Sequence, residues 1–393
     1  MNKVKKFQDI NWQEISKEFP AQNLEGKIWL NNCGVSAPPE TIKKEMQRFF
    51  ENYFEELYLS ESFNYIKIKE SIKQKLSSLI QCKESEVTLV HNTAEGMNNI
   101  ALALDFKEGD EVLLLTDEYP SNVYPWAQLY KSKGVLTRFI PAERNPDLLF
   151  KRFKTMLTEK TKIVSVSAVH WVSGMPIPLE KMGKHCKENN VLFCVDGAQG
   201  VGHVPIDVKK MNIDFMAFSA WKWLMGPIGL AGFYVSEKFH DTLLPVFRGT
   251  SSVINDEQYF PYKSKLKPDA DKYIYSTPSF ADWVFFNSSL SYLNNLGFEN
   301  VQKRIYELSN LMREMLLSLN FELPSSGFKE FSSGIVSARI IEMHSQKIAE
   351  QLQERGIHAS LRKEYVRFSV HISNNEKQIE HLKTALEEIL STT

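Results

Sequence analysis

Three short segments of this chain carry residues suited to chemistry, and each follows an apolar run. Val195-Asp196-Gly197-Ala198-Gln199-Gly200 places a carboxylate at the end of one such run, followed by small residues. Open α/β sheets bind ligands at strand ends of this kind, and a carboxylate there can pair with a buried cation such as a protonated pyridine nitrogen. The plainer alternative is an Asp that caps the next helix or turn. Phe218-Ser219-Ala220-Trp221-Lys222-Trp223 sets a lysine between two tryptophans after a second run. Desolvation lowers a lysine pKa and makes the amine a nucleophile able to form a Schiff base. A lysine snorkelling past aromatic rings is the competing reading. Lys222 follows Asp196 by 222 − 196 = 26 residues, enough for a crossover and a further strand, so both can face one crevice. His91-Asn92-Thr93-Ala94-Glu95-Gly96 lies between a strand and a helix. Backbone N–H groups and a hydroxyl there make an anion cradle suited to phosphate, or a simple N-cap by Asn92 or Thr93. Together and in this order, the three segments specify a phosphate cradle, a pyridinium partner and an imine-forming lysine.

The elements that must position these residues are legible as apolar runs. Val87 to Val90, Glu111 to Leu115, Ile163 to Val169 and Val191 to Val195 read as buried strands, with helical patterns between them such as Leu179 to Asn189. This alternation predicts βαβ units around a mainly parallel sheet. Phe215 to Ser219 and Gly229 to Val235 flank Lys222 as a hairpin-like pair. From about residue 250 the pattern changes, and residues 253–275 are polar and aromatic without a clear period. A long amphipathic helix follows from about Glu299 to Leu319, and Ser373-Asn374-Asn375-Glu376 reads as a capping box for a last helix. The expected organisation is a large α/β domain over 21–250 and a smaller α+β domain over 251–393, with 1–20 packed on the smaller one.

Bulk properties narrow the function. Of 393 residues, 43% are hydrophobic and 24% charged, and 47 Lys plus Arg balance 48 Asp plus Glu. That balance argues against nucleic acid or an anionic membrane as the main partner. Cys33, Cys82, Cys186 and Cys194 form no CxxC pair and no zinc spacing, which suits a reduced compartment. The N-terminus does not read as a signal peptide and no apolar run is long enough to cross a bilayer, so the expected location is cytoplasmic. The nine histidines show no HExxH or facial-triad spacing, and no metal is expected. Gly226, Gly229 and Gly232 lead into a strand and read as a turn, not a dinucleotide fingerprint. The Lys and Arg residues from Arg355 to Arg367 read mostly as a solvated face.

The chain resembles the class V aminotransferase family, which includes cysteine desulfurases, cysteine and selenocysteine lyases and isopenicillin N epimerase-like proteins. The resemblance runs from Leu30-Asn31-Asn32-Cys33-Gly34-Val35-Ser36 to Arg367-Phe368-Ser369 and is most specific from Asp196 through Gly229. It implies a fold-type I enzyme dependent on pyridoxal 5'-phosphate (PLP), with the cofactor held as an imine on Lys222. It further implies that Thr93, Ala94 and Ser219 hold the phosphate, Asp196 pairs with the pyridine nitrogen and Gln199 meets the ring hydroxyl. Arg367 matches the arginine for the substrate carboxylate, and Asn32 falls in the expected substrate pocket. Tyr275-Ser276-Thr277-Pro278 resembles the segment that reaches a neighbouring subunit's phosphate, so Thr277 implies a homodimer. The chain departs from the pattern at Trp221, where the family usually has His, and at Trp171, where desulfurases have Asn. Tyr119, with Trp126 as the alternative, is expected to stack on the cofactor ring.

An amino acid at such a site loses its Cα proton to the freed Lys222 amine. Transamination, β-elimination and racemisation share that step. No cysteine lies in Glu354 to Leu361, where a desulfurase would carry its mobile thiolate, so desulfurase chemistry is not expected. The leading expectation is an amino-acid aminotransferase. A C–S β-lyase or epimerase comes next, and a non-catalytic PLP-binding protein or a sugar aminotransferase lies further off. The joint presence of Lys222, Asp196, Gln199 and Arg367 argues against the last two.

Overall fold

Strands and helices alternate along the first two-thirds of the chain. The computed structural model describes residues 6–22, 26–57, 64–143, 145–254, 260, 262, 264–325 and 333–391. Twelve strands are named here in chain order: β1 (Ile28–Trp29), β2 (Val87–Val90), β3 (Glu111–Leu115), β4 (Leu136–Ile140), β5 (Thr161–Ser167), β6 (Leu192–Asp196), β7 (Phe215–Ser219), β8 (Ala231–Val235), β9 (Ile335–Ala338), β10 (Ile357–His358), β11 (Ser360–Arg362) and β12 (Tyr365–Ser369).

Among the described residues the largest sheet has the order β2-β8-β7-β6-β5-β3-β4. The strands from β7 to β4 run parallel, and β8 is antiparallel to both β7 and β2. Every residue of β7 and β8 is buried, as expected of strands covered on both faces. β7 and β8 are the expected pair around Lys222. Because β2 runs in the same direction as the parallel strands, the ends of β2, β3, β5, β6 and β7 share one edge. That edge is where open α/β sheets bind ligands.

Close packing under this edge demands small residues at two places. A Cβ on Gly232 in β8 would stand 2.2 Å from the Phe218 ring, and a Cβ on Gly96 would stand 2.6 Å from the Ala217 Cβ. Gly96 therefore lets the helix Thr93–Ala103 press its first turn onto β7, which carries Ser219. Full burial of Phe218, Phe233 and Val195 contributes roughly 1.5–3 kcal/mol each.

A second sheet, β11-β12-β9, is antiparallel. Val336, Val366 and Phe368 face a smaller core with Leu308, Met312, Leu316 and the last helix, Glu376–Ser391. β1 pairs with β10 beside it. The change of core falls later than the change of sequence pattern near residue 250. Trp283, Phe286, Leu290 and Leu293 of the helix Phe280–Leu296 belong to the large core, and the helix Phe298–Ser318 joins the small one only from Leu308. The first residues touch both parts. Trp12 and Phe19 sit in the large core, while Asn375 donates to Ser16 at 3.3 Å. Residues 255–259, 261 and 263 of the polar stretch lie outside the described residues.

The expected capping box is not formed. The last helix begins at Glu376, and Asn375 caps it by accepting from the Gln378 N–H at 3.2 Å. Glu376 is engaged by Arg304 at 2.6 and 3.1 Å, and Ser373 accepts from Gln22 at 3.3 Å. A buried arginine is a stronger partner for a carboxylate than a backbone N–H.

Candidate active site

At the shared strand edge a cavity of about 450 Å³ opens between the two sheets. Asp196, Ser219, Lys222, Thr93, Ala94, Tyr119, Gln199, Trp221, Trp171 and Arg367 all line it. Segments spread over 275 residues of sequence (367 − 93 + 1) thus meet at one place.

The cradle forms as the local sequence dictates. Asn92 caps the helix Thr93–Ala103 by accepting from the Glu95 N–H at 2.9 Å. The Thr93 hydroxyl lies 3.0 Å from the Ser219 hydroxyl, so the helix start and the end of β7 present two hydroxyls together. A helix N-terminus with such donors fits a phosphate. Capping and cradle are thus compatible roles of one segment.

Asp196 ends β6 and is buried, with one carboxylate oxygen accepting from the Ala198 N–H at 2.9 Å. Burial raises its pKa, and the nearby Lys222 amine opposes that rise. Burial likewise lowers the Lys222 pKa, with Asp196 opposing and Arg367 reinforcing the fall. Lys222 is half-buried and lines the cavity, with its amine 5.5 Å from the centre of the Tyr119 ring. A desolvated amine beside a buried carboxylate and an aromatic face suits a PLP ring bound between them.

Tyr119, not Trp126, supplies the aromatic wall. Trp126 is fully buried against Phe106 in the core. Tyr119 meets Trp171 edge-on at 5.4 Å, and the Trp171 indole donates to the Asp117 carbonyl at 2.7 Å.

Gln199 is held at both ends. Its amide donates to the Cys33 carbonyl at 3.0 Å and accepts from the Trp223 indole at 3.0 Å. Arg367 is buried and points away from the small core, as the alternation along β12 predicts. Its Nε donates to the Ser360 hydroxyl at 3.1 Å and one terminal nitrogen to the Trp171 carbonyl at 2.7 Å. Among the described residues its other terminal nitrogen has no hydrogen-bond partner.

Two expected residues lie elsewhere. Asn32 does not line the cavity; its amide donates to the Ser369 carbonyl at 2.9 Å and to Asn374 at 3.1 Å, fastening the chain to β12. Thr277 is exposed beside His91, Glu95 and Tyr275, in a separate small cavity behind the cradle.

The roles of three residues here escaped the sequence reading. Glu118 is buried next to Tyr119 and accepts from the Ser167 N–H at 2.7 Å and from the Ser167 hydroxyl. Burial pushes its pKa up to about 7, and Asp196 adds to the rise. Arg362 lines the cavity and does not belong to a solvated face. Trp223 is fully buried between two histidine rings, His203 at 3.6 Å and His371 at 5.9 Å. Cys33, on the cavity wall, is fully buried.

The fold and sequence have known counterparts. The family model "Aminotransferase class-V" matches residues 28–382. A protein described as "Probable cysteine desulfurase" from Pyrococcus abyssi is 29% identical, covering 97% of this chain and 98% of its own. One of the same description from Methanothermobacter thermautotrophicus is 24% identical over 96% and 98%. Among solved structures, a cysteine desulfurase from Thermococcus onnurineus NA1 superposes with a TM-score of 0.87 at 24% identity, covering 97% of this chain and 98% of that one. The cystine C-S lyase C-DES, in complex with its product cysteine persulfide, gives 0.83 at 21% identity over 94% and 98%. A variant of that lyase carries glycine covalently linked to the PLP cofactor. These structural likenesses carry the fold, which is that of the fold-type I PLP enzymes.

Proposed function

The chain belongs to the class-V aminotransferase family and is a PLP-dependent enzyme; from that premise we propose that it is a C–S lyase acting on a cysteine-type amino acid. The observation that carries this reading is the placement of Lys222 and Arg367 in one cavity of a chain whose full-length relatives are described as cysteine desulfurases. It displaces transamination, which sequence alone put first, in favour of the alternative.

Each residue has a role in this reading. Thr93, Ala94 and Ser219 hold the phosphate, Asp196 faces the ring nitrogen, Gln199 the ring hydroxyl and Tyr119 the ring face. When bound, PLP supplies the electron sink for breaking bonds at Cα. Arg367 holds the α-carboxylate through a planar fork that lysine does not reproduce. The Lys222 amine, whose pKa burial lowers, takes the Cα proton. The Cβ–S bond then breaks, the sulfur leaves with its electron pair, and hydrolysis of the remaining enamine gives pyruvate and ammonia. Release of sulfur to solution fits the cysteines better than transfer to the protein. Ala359 stands in the segment where a mobile cysteine is expected, and burial pushes the Cys82 thiol up to about 12 and those of Cys186 and Cys194 higher. We read Thr277 as a residue of the partner's site in a homodimer.

The test is product analysis with a panel of amino acids. Pyruvate and ammonia in equal amounts with a released thiol or persulfide is the expected result. A keto acid with a pyridoxamine spectrum assigns transamination, and alanine with sulfur left on the protein assigns desulfuration; either overturns the proposal.

A further inference from the structure

Two serines interrupt the buried strand β5. Ser165 and Ser167 lie two apart, so they share a face, and both are buried. A buried hydroxyl costs free energy unless it is hydrogen-bonded. Both find their partners in one short loop after β3. Ser165 donates to Oδ1 of Asn122 at 2.5 Å, and Ser167 bonds Glu118 twice, through its backbone N–H at 2.7 Å and through its hydroxyl. Asn122 also accepts from the Trp126 indole at 3.4 Å. Glu118 and Asn122 are themselves buried.

Between these two anchors stand Tyr119, Pro120 and Ser121, and both Tyr119 and Ser121 line the cavity. Tyr119 is 43% exposed, so packing of its ring does not fix it. Its backbone is fixed instead, by Glu118 immediately before it and Asn122 three residues after it. Pro120 restrains one φ between them, and the Asn122 N–H closes the turn onto the Tyr119 carbonyl at 2.8 Å. Buried hydrogen bonds of this kind resist displacement, because breaking one strands a buried polar group. Ser167 is also the register partner of Asp196 across β5 and β6. One strand end therefore places both the carboxylate Asp196 and, through Glu118, the aromatic wall beside the Lys222 amine. Burial, and then the charge of Asp196, favour the neutral acid at Glu118. A neutral carboxyl both donates and accepts, and a glutamine amide reproduces that pattern.

We propose that Glu118 and Asn122 are positioning residues that hold Tyr119 at the angle at which it faces the cofactor ring. This rests on Tyr119 as the ring wall, and not on which bond the enzyme breaks.

The test is a double-mutant cycle on PLP affinity, joined to the visible circular dichroism of the bound cofactor. Tyr119→Ala should weaken PLP binding about fivefold, as loss of one aromatic contact implies. Glu118→Ala and Asn122→Ala should each weaken it to a similar or smaller extent and shrink the visible dichroic band. Glu118→Gln should restore both signals. Glu118→Ala combined with Tyr119→Ala should lose no more than Tyr119→Ala alone, because one effect acts through the other. Losses that multiply in the combined variant overturn the proposal, as does unchanged PLP affinity in Glu118→Ala while Tyr119→Ala is impaired. Unchanged affinity in Tyr119→Ala would remove Tyr119 as the ring wall, and the proposal with it. If Glu118→Ala does not fold, Ser167→Ala, which removes one hydroxyl from the sheet, takes its place in the same cycle with the same expected non-additivity. A transaminase or a desulfurase product from the enzyme would overturn the lyase reading and leave this cycle as it stands.

Discussion

The indole N–H of Trp223 donates to Oε1 of Gln199 at 3.0 Å, which allows the Gln199 amide one orientation only. Its NH₂ group must then face the Cys33 carbonyl and the cavity, as a donor to any ring oxygen bound there. Trp223 is itself clamped between His203 and His371 and so acts as a positioning residue.

Trp223→Phe should keep the ring between the histidines and remove the donor. The amide then loses its preference, and cofactor affinity should fall by about 1 kcal/mol, roughly fivefold. Fluorescence titration of the stripped protein with PLP measures this. An unchanged dissociation constant would show that Gln199 is oriented by other groups.

Glu118 should make stability fall as pH rises. Its pKa is about 7 in the folded chain against an ordinary 4.5, because burial disfavours the carboxylate. A raised value means that the native state holds the proton more tightly. The contribution is whole below about 4.5 and is lost as pH rises through about 7. Glu118→Gln should remove this slope, gaining roughly 1–3 kcal/mol on wild type between the two ends of that window. Urea midpoints across the window check it, and parallel curves for the two proteins would contradict it.

Three histidines, His203 and His371 buried and His170 half-buried, should act in the opposite sense. Burial holds His170 and His371 down to about 4 and His203 well below its ordinary 6.5, with His371 adding to the last. Depressed values give stability that is present above 6.5 and lost as pH falls towards 4, because the unfolded chain takes up protons first. His371→Gln should lower stability near neutrality, where the Trp223 contact is lost, yet flatten the acid slope by roughly 1–3 kcal/mol across the window. An acid slope as steep as that of wild type would place the titration elsewhere.

The sequence showed most of the sheet because strands such as β2, β3 and β7 are buried and stand out as apolar runs, whereas the largely exposed edge strand β4 does not. Lys222 and Asp196 were legible because each follows such a run. Glu118 was not, since a buried acid beside a surface aromatic has the same letters as a solvated one; only its contact with Ser167 reveals it. Arg362 sits among Arg355, Lys363 and Glu364, which are solvent-facing or paired at the surface, and that company concealed its inward face. The capping box failed through a partner distant in sequence, since Arg304 lies 72 residues before Glu376. Thr93 and Ser219, 126 residues apart, became one cradle only through the packing of Gly96 on Ala217.

The central claim is that the cavity lined by Lys222, Asp196 and Arg367 is the active site and that Lys222 carries the cofactor. Borohydride reduction of the PLP-loaded protein, followed by peptide mass spectrometry, tests this directly. The account predicts loss of the visible band and a reduced pyridoxyl phosphate group on Lys222 within Ser219-Ala220-Trp221-Lys222-Trp223, and no such adduct in Lys222→Ala. Stoichiometric label on any other lysine of the wild-type protein would contradict it.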